Sequence, residues 1–157
     1  MKKAIKNVHN KSTLANQMKL ELESRSVNES FARAVVSAFA AQLDPTVEEL
    51  TDIKTAVSEA VTNCIVHAYP NQNGKINIWA GAYADGFFRV LVKDRGCGIE
   101  DIAKAKQPLY STLGEERAGL GFAVMESFMD HMRVRSKPGA GTTVTLEKQV
   151  KGKANDR

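Results

Sequence analysis

The chain has 157 residues, 43% of them hydrophobic and 25% charged, which suits one globular domain with a real core and leaves too little for two. No apolar run nears the roughly 20 residues of a membrane span, and the basic start "MKKAIKNVHNKSTLANQ" has no apolar signal stretch. A cytoplasmic protein without membrane contact is expected. The net charge of +4 sits at the ends: residues 1–19 hold five Lys and no acid, whereas residues 20–146 hold 13 basic and 16 acidic residues, so no direct nucleic-acid surface is expected.

Residues 1–15 read as a basic flexible extension, residues 16–148 as the domain, and residues 149–157 as a flexible tail. "QMKLELES" alternates Met18, Leu20 and Leu22 with Lys19, Glu21 and Glu23, the pattern of a half-buried strand. "SVNESFARAVVSAFAAQL" predicts a helix with Ser26 and Glu29 at capping-box positions and Phe31, Val35 and Phe39 toward the core. "DPT" breaks it. Thr46 and Glu49 then cap a second helix that runs to Ala68. "KINIWAGAYA" and "FFRVLVKD" are strands joined at "DG", a hairpin signal. After "DRGCGI" an irregular segment extends from about Glu100 to Ala118, followed by a helix "GLGFAVMESFMDHM" and a last hairpin, "RVRSK" and "TTVTLEKQ" around "PGAG". This order predicts an α+β fold, a two-layer sandwich with helices on one face of a mostly antiparallel sheet.

Within the second helix, "SEAVTNCIVHAY" sets Glu59, Asn63 and His67 four residues apart, hence on one face. An ordinary solvated face is the bland alternative, but Asn is a poor helix former and needs a local reason. A carboxylate, an amide oxygen and an imidazole aimed into one cleft would suit a metal–phosphate site. "DRGCGI" places Asp94 at a strand end before Gly96 and Gly98, where backbone can approach a ligand closely. "AGLGF" places Gly119 and Gly121 at a helix start, which favours phosphate. "GAGTTV" opens the last strand. Each signal alone is weak. Cys64 and Cys97 are too few and too isolated for a disulfide framework or a zinc site, and read as small buried residues.

Four such signals in one order are more specific. E-x-x-x-N-x-x-x-H, D-x-G-x-G, G-x-G-F before a helix and G-T-T before a strand resemble the GHKL (Bergerat-fold) ATP-binding superfamily. "NESFAR", "AQLDPT", "VSEAVTN", "QPLYST", "ERAGLGF" and "MESFMD" narrow the resemblance to the anti-sigma F family of spore-forming bacteria, from about Leu20 to Leu146. The departures are the basic N-terminal extension, Arg95 where an acid is common, and a slightly short lid between Gln107 and Gly119.

The resemblance implies a protein serine kinase that also inhibits a sporulation sigma factor and phosphorylates a serine of its anti-anti-sigma protein. A binding module without kinase activity is the alternative, and a histidine-kinase or hydrolytic relative ranks last. It implies ATP or ADP and Mg²⁺ as ligands, with Asn63 holding the metal, Glu59 as general base and Arg117 stabilising the γ-phosphate. Asp94 would accept from the adenine amino group, supported by Thr142 or Thr143. Gly96, Gly98, Thr112, Gly119, Leu120 and Gly121 would complete the nucleotide contacts. Glu29 and Arg33 would meet protein partners, the alternative being an i,i+4 surface ion pair. A homodimer is also implied, while His67 is expected to be structural.

Overall fold

A computed structural model describes residues 12–107 and 117–153, and β1 (Leu14–Glu23) opens the fold. It is followed by α1 (Val27–Ala40), α2 (Val47–Asn63), β2 (Lys75–Tyr83), β3 (Phe87–Asp94), a short α3 (Ile102–Ala105), α4 (Arg117–Phe128), β4 (His131–Lys137) and β5 (Gly141–Gln149). The strands form one sheet in the order β1-β2-β3-β5-β4, and every pairing is antiparallel. Alternation along each strand sends Ile76, Ile78, Ala80, Phe88, Val90, Val92, Val144 and Leu146 to the helix-covered face, where all are buried. The α+β sandwich read from the sequence is the fold observed.

α2 lies between α1 and α4 and carries the centre of the core through Ile53, Ala56, Val57, Ala60 and Val61. Its start is fixed by a complete capping box. Thr46 Oγ1 accepts from the Glu49 amide at 3.1 Å, and Glu49 Oε2 accepts from the Thr46 amide at 3.0 Å. Glu49 also receives the amides of Lys151 (2.9 Å) and Gly152 (3.2 Å). Burial would raise its pKa, but these donors and nearby Lys148 outweigh it and hold the carboxyl below its usual range. The fold therefore continues past residue 148, with Val150 buried and the Lys153 amide bonded to the Asp44 carbonyl.

Four local expectations are corrected. Ser26 sits at the start of α1 in a helical conformation with no side-chain cap bond, so no capping box forms there. α1 buries Ala32, Val36 and Ala40, while Phe31 is 51% exposed. Small residues let α1 lie close on α2, and that contact sets the buried stripe one residue away from the line of larger side chains. Phe39 still packs at the margin of the core, 6.5 Å from the Phe88 ring. α2 stops being α-helical at Asn63, and Cys64–Ala68 form a π turn. Finally, α4 ends at Phe128 and not at Met132. The chain must turn there because the Asp130 amide is already bonded to the Glu147 carbonyl and His131 opens β4.

Lys148 closes the end of the sandwich from inside. It is 9% exposed, and its ammonium donates to the Phe128 carbonyl at 2.8 Å and pairs with Asp52 at 3.4 Å, linking β5, the end of α4 and the middle of α2. The reciprocal cap of α2 gives a direct test. Thr46→Ala should lower the unfolding free energy by about 1 kcal/mol, read as an earlier urea midpoint at unchanged m-value.

Candidate functional site

A cleft of about 490 Å³ opens between the end of α2, the β3–α3 connection, α4 and the start of β5. Asn63, Asp94, Gly98 and Thr142 line it together with His67, so residues distant in sequence converge as the motif order implied. The convergence has a backbone origin. Gly98 (φ +74°) and Gly141 (φ +100°) are left-handed, and a Cβ on them would sit 2.2 Å from the Lys137 and Asp94 carbonyl oxygens respectively. Only glycine allows the loops to close to this distance.

Asp94 is the fixed point of the cleft. It is 5% exposed. Oδ1 accepts the amides of Gly96 at 2.9 Å and Thr142 at 3.2 Å, and Oδ2 accepts the Cys64 thiol at 3.5 Å. Burial pushes the carboxyl above its ordinary range, against the pull of these donors. Burial, together with the Asp94 charge, drives the Cys64 thiol well above its usual pKa, so it faces Asp94 as a neutral S–H. A buried carboxylate that lines a cleft, with one oxygen taken by two backbone amides and the other by a single thiol, keeps acceptor capacity for a further N–H.

Asn63 shows a complementary demand. Its Nδ2 is buried and, among the described residues, has no hydrogen-bond partner. Such an orphan costs about 1–3 kcal/mol. A half-turn of the amide would present its oxygen at the same place, which fits the end of a cation-bearing phosphate chain. Glu59 lies beside it. A Cβ added to Gly121 would come 3.1 Å from Glu59 Oε2 and 3.3 Å from Asn63 Oδ1, so α4 meets α2 at the carboxylate–amide pair through a glycine.

The π turn carries the other wall. Its His67 carbonyl accepts the Cys97 thiol at 3.1 Å and its Ala68 carbonyl accepts the Cys97 amide at 3.0 Å. Widening the helix by one residue per turn turns these carbonyls toward the glycine loop. His67 lines the cleft and its backbone anchors this loop.

Not every candidate converges. Strand alternation puts Thr142 on the cleft side and Thr143 on the opposite face, across from Lys93 and Arg135. Leu120 is 41% exposed and does not line the cleft. Gly119 falls in the first turn of α4, and Gly96 supplies an amide to Asp94. Thr112 lies outside the described residues, as does the side chain of Arg117 at the first position of α4. Glu29 and Arg33 sit on α1, paired at 3.5 Å, and Glu29 also accepts from the Ser58 hydroxyl. Cys97 is exposed, against the expectation of burial, whereas Cys64 is buried. Two lining features were not anticipated: Cys64 as a partner of Asp94, and α3, which brings Lys104 and Ala105 to the cleft from a segment expected to be irregular. The N-cap at Asp101, which accepts the Lys104 amide at 3.0 Å, was the signal for that turn.

Comparison with known proteins agrees with this geometry. The histidine kinase-like ATPase domain matches residues 20–148. An anti-sigma F factor of Caldanaerobacter subterraneus subsp. tengcongensis is 60% identical over 136 residues, covering 86% of this chain and 94% of that protein. One from Geobacillus kaustophilus is 53% identical over 139 residues, covering 87% and 94%. Among solved structures, the RsbU and RsbW domains of a Mycobacterium tuberculosis protein share the fold, with a TM-score of 0.64, 23% identity, and coverage of 86% of this chain and 32% of that one.

A histidine kinase-like ATPase domain implies nucleotide binding, and the α4–α2 contact predicts how a single methyl would disturb it. Gly121→Ala should leave thermal stability unchanged or slightly raised, because Ala favours the helix by up to about 1 kcal/mol. The same methyl should weaken ADP binding about tenfold, or 1.4 kcal/mol, by displacing Glu59 and Asn63. Calorimetric titration beside a melting curve separates the two effects.

Proposed function

The chain belongs to the histidine kinase-like ATPase domain family, among the anti-sigma F factors, and on that premise we propose that it is an ATP-dependent protein serine kinase. It also binds and inhibits a sporulation sigma factor, and its phosphorylation substrate is a serine of the anti-anti-sigma protein. The observation that carries this reading is the orphaned Asn63 amide in a cleft lined by Asp94, with the Glu59 carboxylate beside that amide at Gly121, outside the cleft lining itself. Nucleotide binding alone needs the amide and Asp94. A carboxylate beside that amide adds what a hydroxyl nucleophile requires.

In this reading Asp94 accepts the exocyclic amino group of adenine, and Gly98 and Thr142 bound the base. The Asn63 amide oxygen holds Mg²⁺ carried with the phosphates, an ion that neutralises phosphate charge when bound. Glu59 takes the proton of the partner's serine hydroxyl as its oxygen forms a bond to the γ-phosphorus. The bond from that phosphorus to the β-γ bridging oxygen breaks, and ADP is left in the cleft. Arg117 stabilises the transferred group's charge from the first turn of α4. Glu29 and Arg33 belong to the partner surface of α1, where Arg33 and Phe31 are both exposed. The uncovered sheet face, with Trp79 opposite Leu91 at its centre, is assigned to a second copy of the chain.

Labelled ATP, Mg²⁺ and a candidate anti-anti-sigma protein test the activity. Label should appear on a serine of the partner, and an unlabelled partner that nevertheless bound would leave a nucleotide-dependent binding module. Glu59→Gln should keep nucleotide binding while transfer falls about 10²-fold or more, and transfer at the normal rate would remove Glu59 as general base. Asp94→Asn should weaken ATP and ADP alike, by about 1.5–3 kcal/mol, since both carry the same base. Equilibrium titration of each nucleotide checks this.

A further inference from the structure

Buried cysteines are usually small core-filling residues, and Cys64 at 4% exposure could be one of them. Its surroundings say more. Asp94 Oδ1 is committed to two backbone amides, from Gly96 and Thr142, whose positions are fixed by strand pairing and by the glycine loop. These two bonds hold one end of the carboxylate. Oδ2 has the Cys64 thiol as its donor among the described residues, at 3.5 Å, and both residues line the cleft. An ionised carboxylate oxygen has two acceptor directions. With the thiol in one, the other is left for a ligand.

We propose that Cys64 is a specificity-determining positioning residue: its thiol holds Asp94 Oδ2 so that the oxygen's remaining acceptor direction meets the exocyclic amino group of an adenine base. The proposal deepens the adenine-nucleotide reading above and rests on it. A thiol suits the task because it is a weak donor. It orients the oxygen from 3.5 Å while leaving the stronger bond to the ligand. The chain's other thiol is engaged elsewhere, bonded to the His67 carbonyl at 3.1 Å. Beyond Cys64, the titratable side chains lining the cleft are His67 of the π turn and Glu100, Asp101 and Lys104 around α3.

A positioning role and a packing role differ in what they do to two ligands that differ only in the amino group. ADP and purine riboside 5′-diphosphate, which has hydrogen in place of the 6-amino group, would be titrated calorimetrically into the full chain and into Cys64→Val and Cys64→Ser. Cys64→Val removes the donor and fills the space of the sulfur with one methyl group to spare. It should weaken ADP about fivefold to tenfold, as one hydrogen-bond contribution of about 1 kcal/mol predicts, and leave the desamino analogue within about twofold. Cys64→Ser keeps a donor and should restore ADP affinity. Should Cys64→Val fail to fold, Cys64→Ala removes the same donor and carries the same expectation. Equal losses for both ligands would make Cys64 a packing residue and overturn the proposal, as would an ADP affinity unmoved by either substitution. A wild-type chain that bound neither diphosphate would instead overturn the adenine reading on which the proposal stands.

Discussion

One buried carboxylate sets where the rest of the site must be. Asp94 ends β3 under the helices, and the donors that keep it there arrive from the glycine loop, from the start of β5 and from the π turn. Leaving an ionised carboxylate at 5% exposure without such donors would be costly. Its hydrogen bonds therefore draw three otherwise independent connections to one point. Close backbone contact follows. The Gly141 backbone passes directly against the Asp94 carbonyl, and Gly98 directly against that of Lys137. The cleft is what remains between elements pinned around a charge.

The opposite wall depends on α2, which is fixed at both ends by different chemistry. At its start, Thr46 and Glu49 satisfy each other's amides, and Glu49 has capacity left for Lys151 and Gly152. At its end there is no cap in the ordinary sense. The helix widens into a π turn, and the carbonyls of His67 and Ala68 are taken by Cys97. A helix held at both ends presents Glu59 and Asn63 to α4 from a rigid element.

Much of this was legible in the sequence, for reasons that differ by residue. Strands alternating in period two and a turn at Asp85–Gly86 identify the sheet, because burial on one face leaves no other register. Gly98 and Gly121 could be picked out because their roles are backbone roles, and glycine after a strand or in a helix start has few other uses, while Asp94 stands out as the acid that ends an apolar strand just before glycines. What could not be read was set by contacts between elements. The buried stripe of α1 follows the close approach of Ala32 and Ala40 to α2, and the larger Phe31 misleads any count based on hydrophobicity. The π turn has no composition signal, and the partner of its His67 carbonyl is Cys97, thirty residues away. Thr142 and Thr143 are chemically identical, and only the pleat of β5 separates them. Cys64 reads as filler until Asp94 is seen beside it.

The sheet order has a consequence for how the chain is made. Of the five strands described, β5 leaves the ribosome last, yet it lies between β3 and β4, and its Val144 and Leu146 complete the core. Until it is synthesised, β3 has an open edge and β4 has no partner in the sheet. Domains form N-terminal first during synthesis at about 5–20 residues per second, but this one cannot close in that manner. Its first hairpin, β2 with β3, and the helices packed on it wait with apolar surface uncovered until β5 has been made. The nascent chain is thus exposed to edge-to-edge association from the completion of β3 at Asp94 until β5 is made, and then completes its sheet as β5 pairs with both β3 and β4.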